Sequence, residues 1–167
     1  MGKDPFAVLL PDDLFFSEKS CLSQLLDVYK RTESSVIAVN KVEKENIHKY
    51  GVIKPGKIKE SFIKIEDIVE KPSYEEAPSD IAVCGRYIFN ASIFEFLKST
   101  NFDKSGEIQL TDAIQKLLQE EEVYASIYDG EKFDCGSKQG FVHATIALAL
   151  RDKSISQGIQ KIIKEII

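Results

Sequence analysis

The spacing of hydrophobic positions changes several times along this chain, and each change marks an element. Residues 6–10 form a continuous apolar run, which predicts a strand buried on both faces. Pro11 cannot extend a ladder, so Asp12 and Asp13 are placed just past the strand's carboxyl end. Across 21–31, Leu22, Leu25, Leu26 and Tyr29 recur at helical spacing. Residues 35–39 (Ser-Val-Ile-Ala-Val) then predict a second strand. This strand–helix–strand order predicts a parallel α/β unit with a right-handed crossover.

The next stretch is irregular. Charges alternate over 41–49, as on a solvated helix with an ion pair such as Glu45–Lys49. Residues 50–53, 57–59 and 62–69 predict short strands, with Lys54-Pro55-Gly56-Lys57 as a turn between the first two. A Glu- and Ser-rich surface loop at 72–78 precedes an apolar strand at 81–89 and a short helix at 91–99. Ser105 to Asp112 leads into a longer helix, about 108–121, with Ile114, Leu117 and Leu118 inward. Strands at 123–128 and 132–134 are joined by a turn at Asp129-Gly130. Ser137 is the expected N-cap of a helix over 138–151. In a last helix, about 155–167, Ile159, Ile162, Ile163 and Ile166 make a stripe wide enough to want a partner surface.

With 167 residues, the chain is expected to form a single domain over 1–167 with a sizeable core. A net charge of −5 argues against a broad nucleic-acid surface, so any phosphate must be held by local Lys or Arg, magnesium or backbone N–H groups. Three widely spaced cysteines without a CxxC argue against a disulfide framework and a zinc site. No apolar run reaches the roughly 18–20 residues of a membrane span, and the start lacks a signal-peptide apolar region. The expectation is a cytoplasmic protein with neither nucleic-acid nor membrane partners.

Candidate chemistry gathers in carboxylates. The Asp12-Asp13 pair and Asp134 are far apart in sequence, and the crevice beyond strand ends is where open α/β sheets bind ligands. Such a set suits magnesium and phosphate; equally, Asp12-Asp13 caps a turn and Asp134 ends a strand. Glu70-Lys71-Pro72 presents adjacent opposite charges fixed by a proline. Glu can accept hydrogen bonds from sugar hydroxyls and Lys can neutralise a phosphate, and a solvated strand end reads the same way. Gly51 and Gly85 mark close backbone approach to a ligand, or turns and bulges. His48 and His143 have no partner at nucleophile or metal-ligand spacing and read as structural or surface residues.

The order of these segments carries a resemblance. Phe-Ala-Val-Leu-Leu-Pro-Asp-Asp at 6–13, Lys49-Tyr50-Gly51, Val-Glu-Lys-Pro at 69–72, Gly85-Arg86-Tyr87, Gly-Glu-Ile-Gln-Leu-Thr-Asp at 106–112 and Asp134-Cys135-Gly136 follow one another. The series resembles bacterial UTP–glucose-1-phosphate uridylyltransferases over nearly the whole chain. Pro-Asp-Asp and Asp-Cys-Gly favour this branch over the related thymidylyltransferases. The resemblance implies a partial Rossmann-like nucleotidyltransferase sheet flanked by helices. It also implies synthesis of UDP-glucose and pyrophosphate from UTP and glucose 1-phosphate, with Mg2+ as cofactor. By the same resemblance, Asp12 and Asp134 are metal ligands and Glu70 binds glucose hydroxyls. Lys71 binds the sugar phosphate, Gly51 the sugar through its backbone, and Gly85 lies near the sugar nucleotide; Asp13 and Glu107 are supporting residues.

The family's Gly-x-Gly-Thr-Arg loop is absent from this sequence. The chain therefore resembles the carboxyl-terminal portion of the family, without the amino-terminal nucleotide-binding strands. The strand at 6–10 is then expected at a sheet edge, an association hazard, and the chain as a homo-oligomer or bound to the missing amino-terminal portion. The alternative is a non-catalytic subunit that binds a sugar nucleotide or stabilises an enzyme.

Overall fold

The computed structural model describes residues 2–59, 61–103 and 106–166. The chain runs β1 (Phe6–Leu9), β2 (Asp13–Phe16), α1 (Cys21–Thr32), β3 (Ser35–Lys41), a 3-10 helix (Lys44–Lys49), β4 (Gly51–Lys59), β5 (Phe62–Glu70) and β6 (Ile81–Phe89). It continues with α2 (Ile93–Ser99), α3 (Leu110–Leu117), β7 (Val123–Ile127), β8 (Glu131–Asp134), α4 (Lys138–Arg151) and α5 (Ser156–Ile166). Among the described residues the contacts group into two compact units. The first is Met1–Leu9 with Lys19–Asp129, and the second is Leu10–Glu18 with Gly130–Ile167.

The first unit is built on a mixed sheet in the order β1-β6-β3-β7-β5-β4. β3 and β6 are central and almost wholly buried, as their continuous apolar runs require. β3 pairs with β7 in parallel and with β6 antiparallel. Ile37, Val39, Ile53, Ile63, Ile65 and Phe89 form the heart of the core, which α3 covers with Ala113, Ile114 and Leu117. α1 begins at Ser20, whose hydroxyl accepts from the Ser23 amide at 3.2 Å, and buries Cys21, Leu25 and Val28.

Four expectations are corrected here. β1 is at the sheet edge, as expected once the family is considered, yet it is not buried on both faces: Phe6 and Val8 pack inward while Leu9 is 52% exposed. β1 and β3 are not neighbours, because β6 lies between them and is antiparallel to both. Pro55-Gly56 is no turn; β4 continues through it with register irregularities against β5. A proline is tolerated on the last strand of the sheet. The charged stretch 41–49 is helical only as a 3-10 helix from Lys44 to Lys49.

The second unit contains an antiparallel ribbon of β2 and β8, with Asp13 opposite Asp134, together with α4 and α5. β2 was not expected. Asp13 therefore begins a strand instead of trailing one, and β7 and β8 belong to different sheets rather than forming a hairpin. Phe133 is buried, with His143 edge-on to it at 5.5 Å and Arg151 over it at 5.7 Å. Ser137 caps α4, accepting from the Gly140 amide at 3.0 Å. Ser105 of the expected motif and Ile167 of the last helix lie outside the described residues.

Candidate active site

In the first unit, strand register brings three expected residues together. Gly51 opens β4 and pairs with Glu70, the last residue of β5. The chain then turns sharply: the Lys71 amide donates to the Tyr50 carbonyl at 3.1 Å, and Lys71 adopts a left-handed φ of 42° before Pro72. A long side chain rarely takes that conformation, and such strain gathers at functional sites. The turn carries the Lys71 ammonium to 3.3 Å from Glu70 Oε1. Thr111, in the first turn of α3, donates its hydroxyl to Glu70 Oε2 at 2.5 Å. Gly51 has to be glycine for this arrangement to close: a Cβ there would lie 2.9 Å from Thr111 Cγ2 and 3.3 Å from Glu70 Oε2. The result is a carboxylate held at both oxygens next to bare backbone, with an ammonium alongside. Chemically, it can accept from hydroxyls and neutralise an anion.

In the second unit, Asp12 and Asp134 converge. A point one bond from Gly136 Cα lies 3.2 Å from Asp134 Oδ1 and 3.3 Å from Asp12 Oδ2. The Cys135 amide donates to the Asp12 carbonyl at 2.7 Å and the Gly136 amide to Asp134 Oδ1 at 2.9 Å, which ties the two segments together. The third carboxylate, Asp13, is 9% exposed and forms an ion pair with Lys132 Nζ at 2.9 Å. Burial holds the Asp13 carboxyl above its ordinary value. The Lys132 ammonium opposes that rise, while Asp12 and Asp134 add to it. Among the described residues no group of three or more His, Cys, Asp or Glu side chains is arranged for a metal. Two convergent carboxylates nevertheless fit magnesium, which commonly takes one or two and completes its shell with phosphate oxygens and water.

The other expected residues have separate settings. Gly85 sits in β6 with φ 61°, inside the irregular stretch between the Val39–Val83 and Ile37–Tyr87 pairs, so a bulge accounts for the glycine. Glu107 is exposed in the loop before α3, and its backbone exchanges hydrogen bonds with Asp103. Reasoning from sequence missed three contributors: Thr111, Lys132 and Gly140. Thr111 lay inside a quoted motif, yet its spacing reveals only a helix start. Lys132 alternates with buried Phe133 on a strand, which suggests an exposed side chain.

A family model described as nucleotidyl transferase matches residues 1–150, and the chain belongs to that family. The chain is similar to the UTP–glucose-1-phosphate uridylyltransferase of Staphylococcus epidermidis. The two are 42% identical over 166 residues, covering 99% of this chain and 58% of that protein. A second uridylyltransferase, from Staphylococcus saprophyticus, is 40% identical, with 57% of its length covered. Among solved structures, UDP-glucose pyrophosphorylase complexed with UDP-glucose superposes with a TM-score of 0.85 at 40% identity, over 89% of this chain and 57% of that one. The UTP-bound enzyme from Acinetobacter baumannii gives 0.87 at 34% identity, over 99% and 58%. The chain thus spans less than two thirds of the relatives that it matches. No helix among the described residues is long and apolar enough to cross a membrane.

Proposed function

We propose that this chain is the sugar-binding and metal-ligand portion, carboxyl-terminal in the whole protein, of a cytoplasmic UTP–glucose-1-phosphate uridylyltransferase, folded as a single domain over 1–167. The observation that carries the reading is the Gly51–Glu70–Lys71 cluster. It sets a carboxylate able to accept from hydroxyls beside an ammonium able to neutralise a phosphate, within a chain 42% identical to such an enzyme.

In the forward reaction a glucose 1-phosphate oxygen bonds to the α-phosphorus of UTP as the α–β phosphoanhydride bond breaks, releasing pyrophosphate. The nucleophile is already anionic, so no strong base is required, and rate comes from positioning and charge neutralisation. Glu70 accepts from glucose hydroxyls, Lys71 neutralises the sugar phosphate and Gly51 lets backbone approach the ring. Gly85 lies along the sugar nucleotide and Glu107 supports the sugar side. Asp12 and Asp134 are the residues that would hold Mg2+, which supplies neutralisation of nucleotide phosphate charge. Asp13, turned onto Lys132, braces the ribbon that carries them.

The exposed residues Phe141, Ile146, Leu150, Ile155, Ile162 and Ile166 of the second unit support a homo-oligomer, or association with an amino-terminal portion. The test is UTP release from UDP-glucose, pyrophosphate and magnesium, first with this chain alone and then with the relatives' amino-terminal segment added. Turnover that needs the added segment and disappears with Glu70→Ala supports the proposal. Silence in both mixtures, with no binding of UDP-glucose, refutes it.

A further inference from the structure

We propose that Thr111 is a positioning residue that holds the Glu70 carboxylate in the pose that receives sugar hydroxyls. The inference rests on the sugar-binding reading of Glu70 and adds a residue to it. A glutamate at a strand end has three freely rotating torsions, and one neighbour on one oxygen leaves it several poses. Here both oxygens are held: Lys71 Nζ stands 3.3 Å from Oε1 and the Thr111 hydroxyl donates to Oε2 at 2.5 Å, the short distance of a charge-assisted O–H···O⁻ bond. A carboxylate offers about four lone-pair directions, so each oxygen keeps capacity for a ligand hydroxyl.

Thr111 is itself fixed from two sides. Its backbone belongs to α3, whose Ala113, Ile114 and Leu117 are seated in the core. Its methyl lies 2.9 Å from the position that a Cβ on Gly51 would take. A helical threonine otherwise divides between two χ1 rotamers; the close approach to Gly51 restricts that choice, and the hydroxyl faces Glu70. The exposures order the roles. Thr111 is 8% exposed and lies behind, while the Glu70 side chain is 26% exposed and lies in front. Thr111 therefore acts through Glu70 instead of through its own contact with the ligand.

The experiment measures glucose 1-phosphate affinity by calorimetry for the wild-type chain, Thr111→Val and Thr111→Ser, each also in a Glu70→Ala background. Thr111→Val keeps the shape and loses the donor, so affinity should fall about tenfold, while Thr111→Ser should stay within about threefold. In the Glu70→Ala background the Val change should add less than about twofold. Where the wild-type chain binds glucose 1-phosphate, a Val effect that persists there, or none in the wild-type background, overturns the proposal. Thr111→Ala, which cannot overfill the space, must repeat the Val result. A crystal structure of Thr111→Val provides the second readout, in which the Glu70 carboxylate should have left its place; an unmoved carboxylate overturns the proposal whatever the ligand does. If the wild-type chain takes up no glucose 1-phosphate but Glu70 moves in the variant, the sugar reading fails and the positioning relation stands.

Discussion

Replacing Gly140 with alanine tests the geometry beneath the candidate metal site. α4 begins so close to β8 that a Cβ at Gly140 would overlap the carbonyl oxygen of Asp134 outright. It would also lie 3.1 Å from the Asp134 carbonyl carbon and from Ser137 Oγ. The atom in the way is backbone, so no rotamer change relieves the clash. Either the first turn of α4 lifts, or the backbone of Asp134 moves. Lifting weakens the Ser137 cap, a loss of about 1 kcal/mol, and overpacking with a backbone shift costs about 1–3 kcal/mol. The better helix propensity of alanine offsets roughly 1 kcal/mol. The net expectation is a destabilisation of about 1–3 kcal/mol.

Gly158→Ala is the internal control. It lies within α5 with nothing inside 4 Å of an added Cβ, so only the propensity gain of roughly 1 kcal/mol should remain. Amide exchange over 138–151 is the assay, with faster exchange expected in Gly140→Ala and slower exchange over 156–166 in Gly158→Ala. If Gly140→Ala protects α4 as Gly158→Ala protects α5, the close approach to Asp134 is wrong and Gly140 carries no positional role.

Three further perturbations bear on the same sites. Lys132→Met removes the ion pair of the nearly enclosed Asp13 carboxylate and should cost roughly 3 kcal/mol in chemical denaturation; a loss near zero would show the pair to be solvated. Asp13 has a folded-state pKa raised above its ordinary 3.8, so its stabilising contribution is present below that value and is lost as pH rises through the folded value. The stability of wild type relative to Asp13→Asn should therefore decline with rising pH across that window, and a relative stability that climbs with pH contradicts the assignment. Gly51→Ala forces a methyl to 2.9 Å from Thr111 Cγ2 and should destabilise by about 1–3 kcal/mol; unchanged denaturation midpoints would mean that α3 yields freely.

Local chemistry was legible in the sequence where local chemistry decides the structure. Ser137 caps α4 as expected because a cap is set by its own side chain and the amides just after it. The helix α1 and the strands read at 62–69 and 81–89 appear in place, although α1 buries Cys21, Leu25 and Val28 and leaves Leu26 of the expected stripe exposed. What the sequence hid was pairing. The run at 6–10 looks like any buried strand, and only its place beside β6 at the sheet edge leaves Leu9 exposed. Asp13 gave no sign of the ribbon with β8, because four-residue strands carry too little period to be told from a loop.

Pro55-Gly56 has the composition of a turn, but strand pairing with β5 resumes past it and overrides that signal. Within the candidate sites, Asp12, Asp134, Glu70, Lys71 and Gly51 could be picked out by residue type and resemblance. Thr111 and Lys132 could not, since each acquires its role from a residue distant in sequence or across a strand pair.

The most direct test of the account is calorimetric binding of UDP-glucose to this chain with magnesium and after chelation, repeated with Asp12→Asn and Glu70→Ala. The account predicts binding that weakens on chelation and with Asp12→Asn, and that weakens with Glu70→Ala whether or not magnesium is present. Binding indifferent to both substitutions, or no binding under any condition, would contradict a sugar-nucleotide and metal role for these residues.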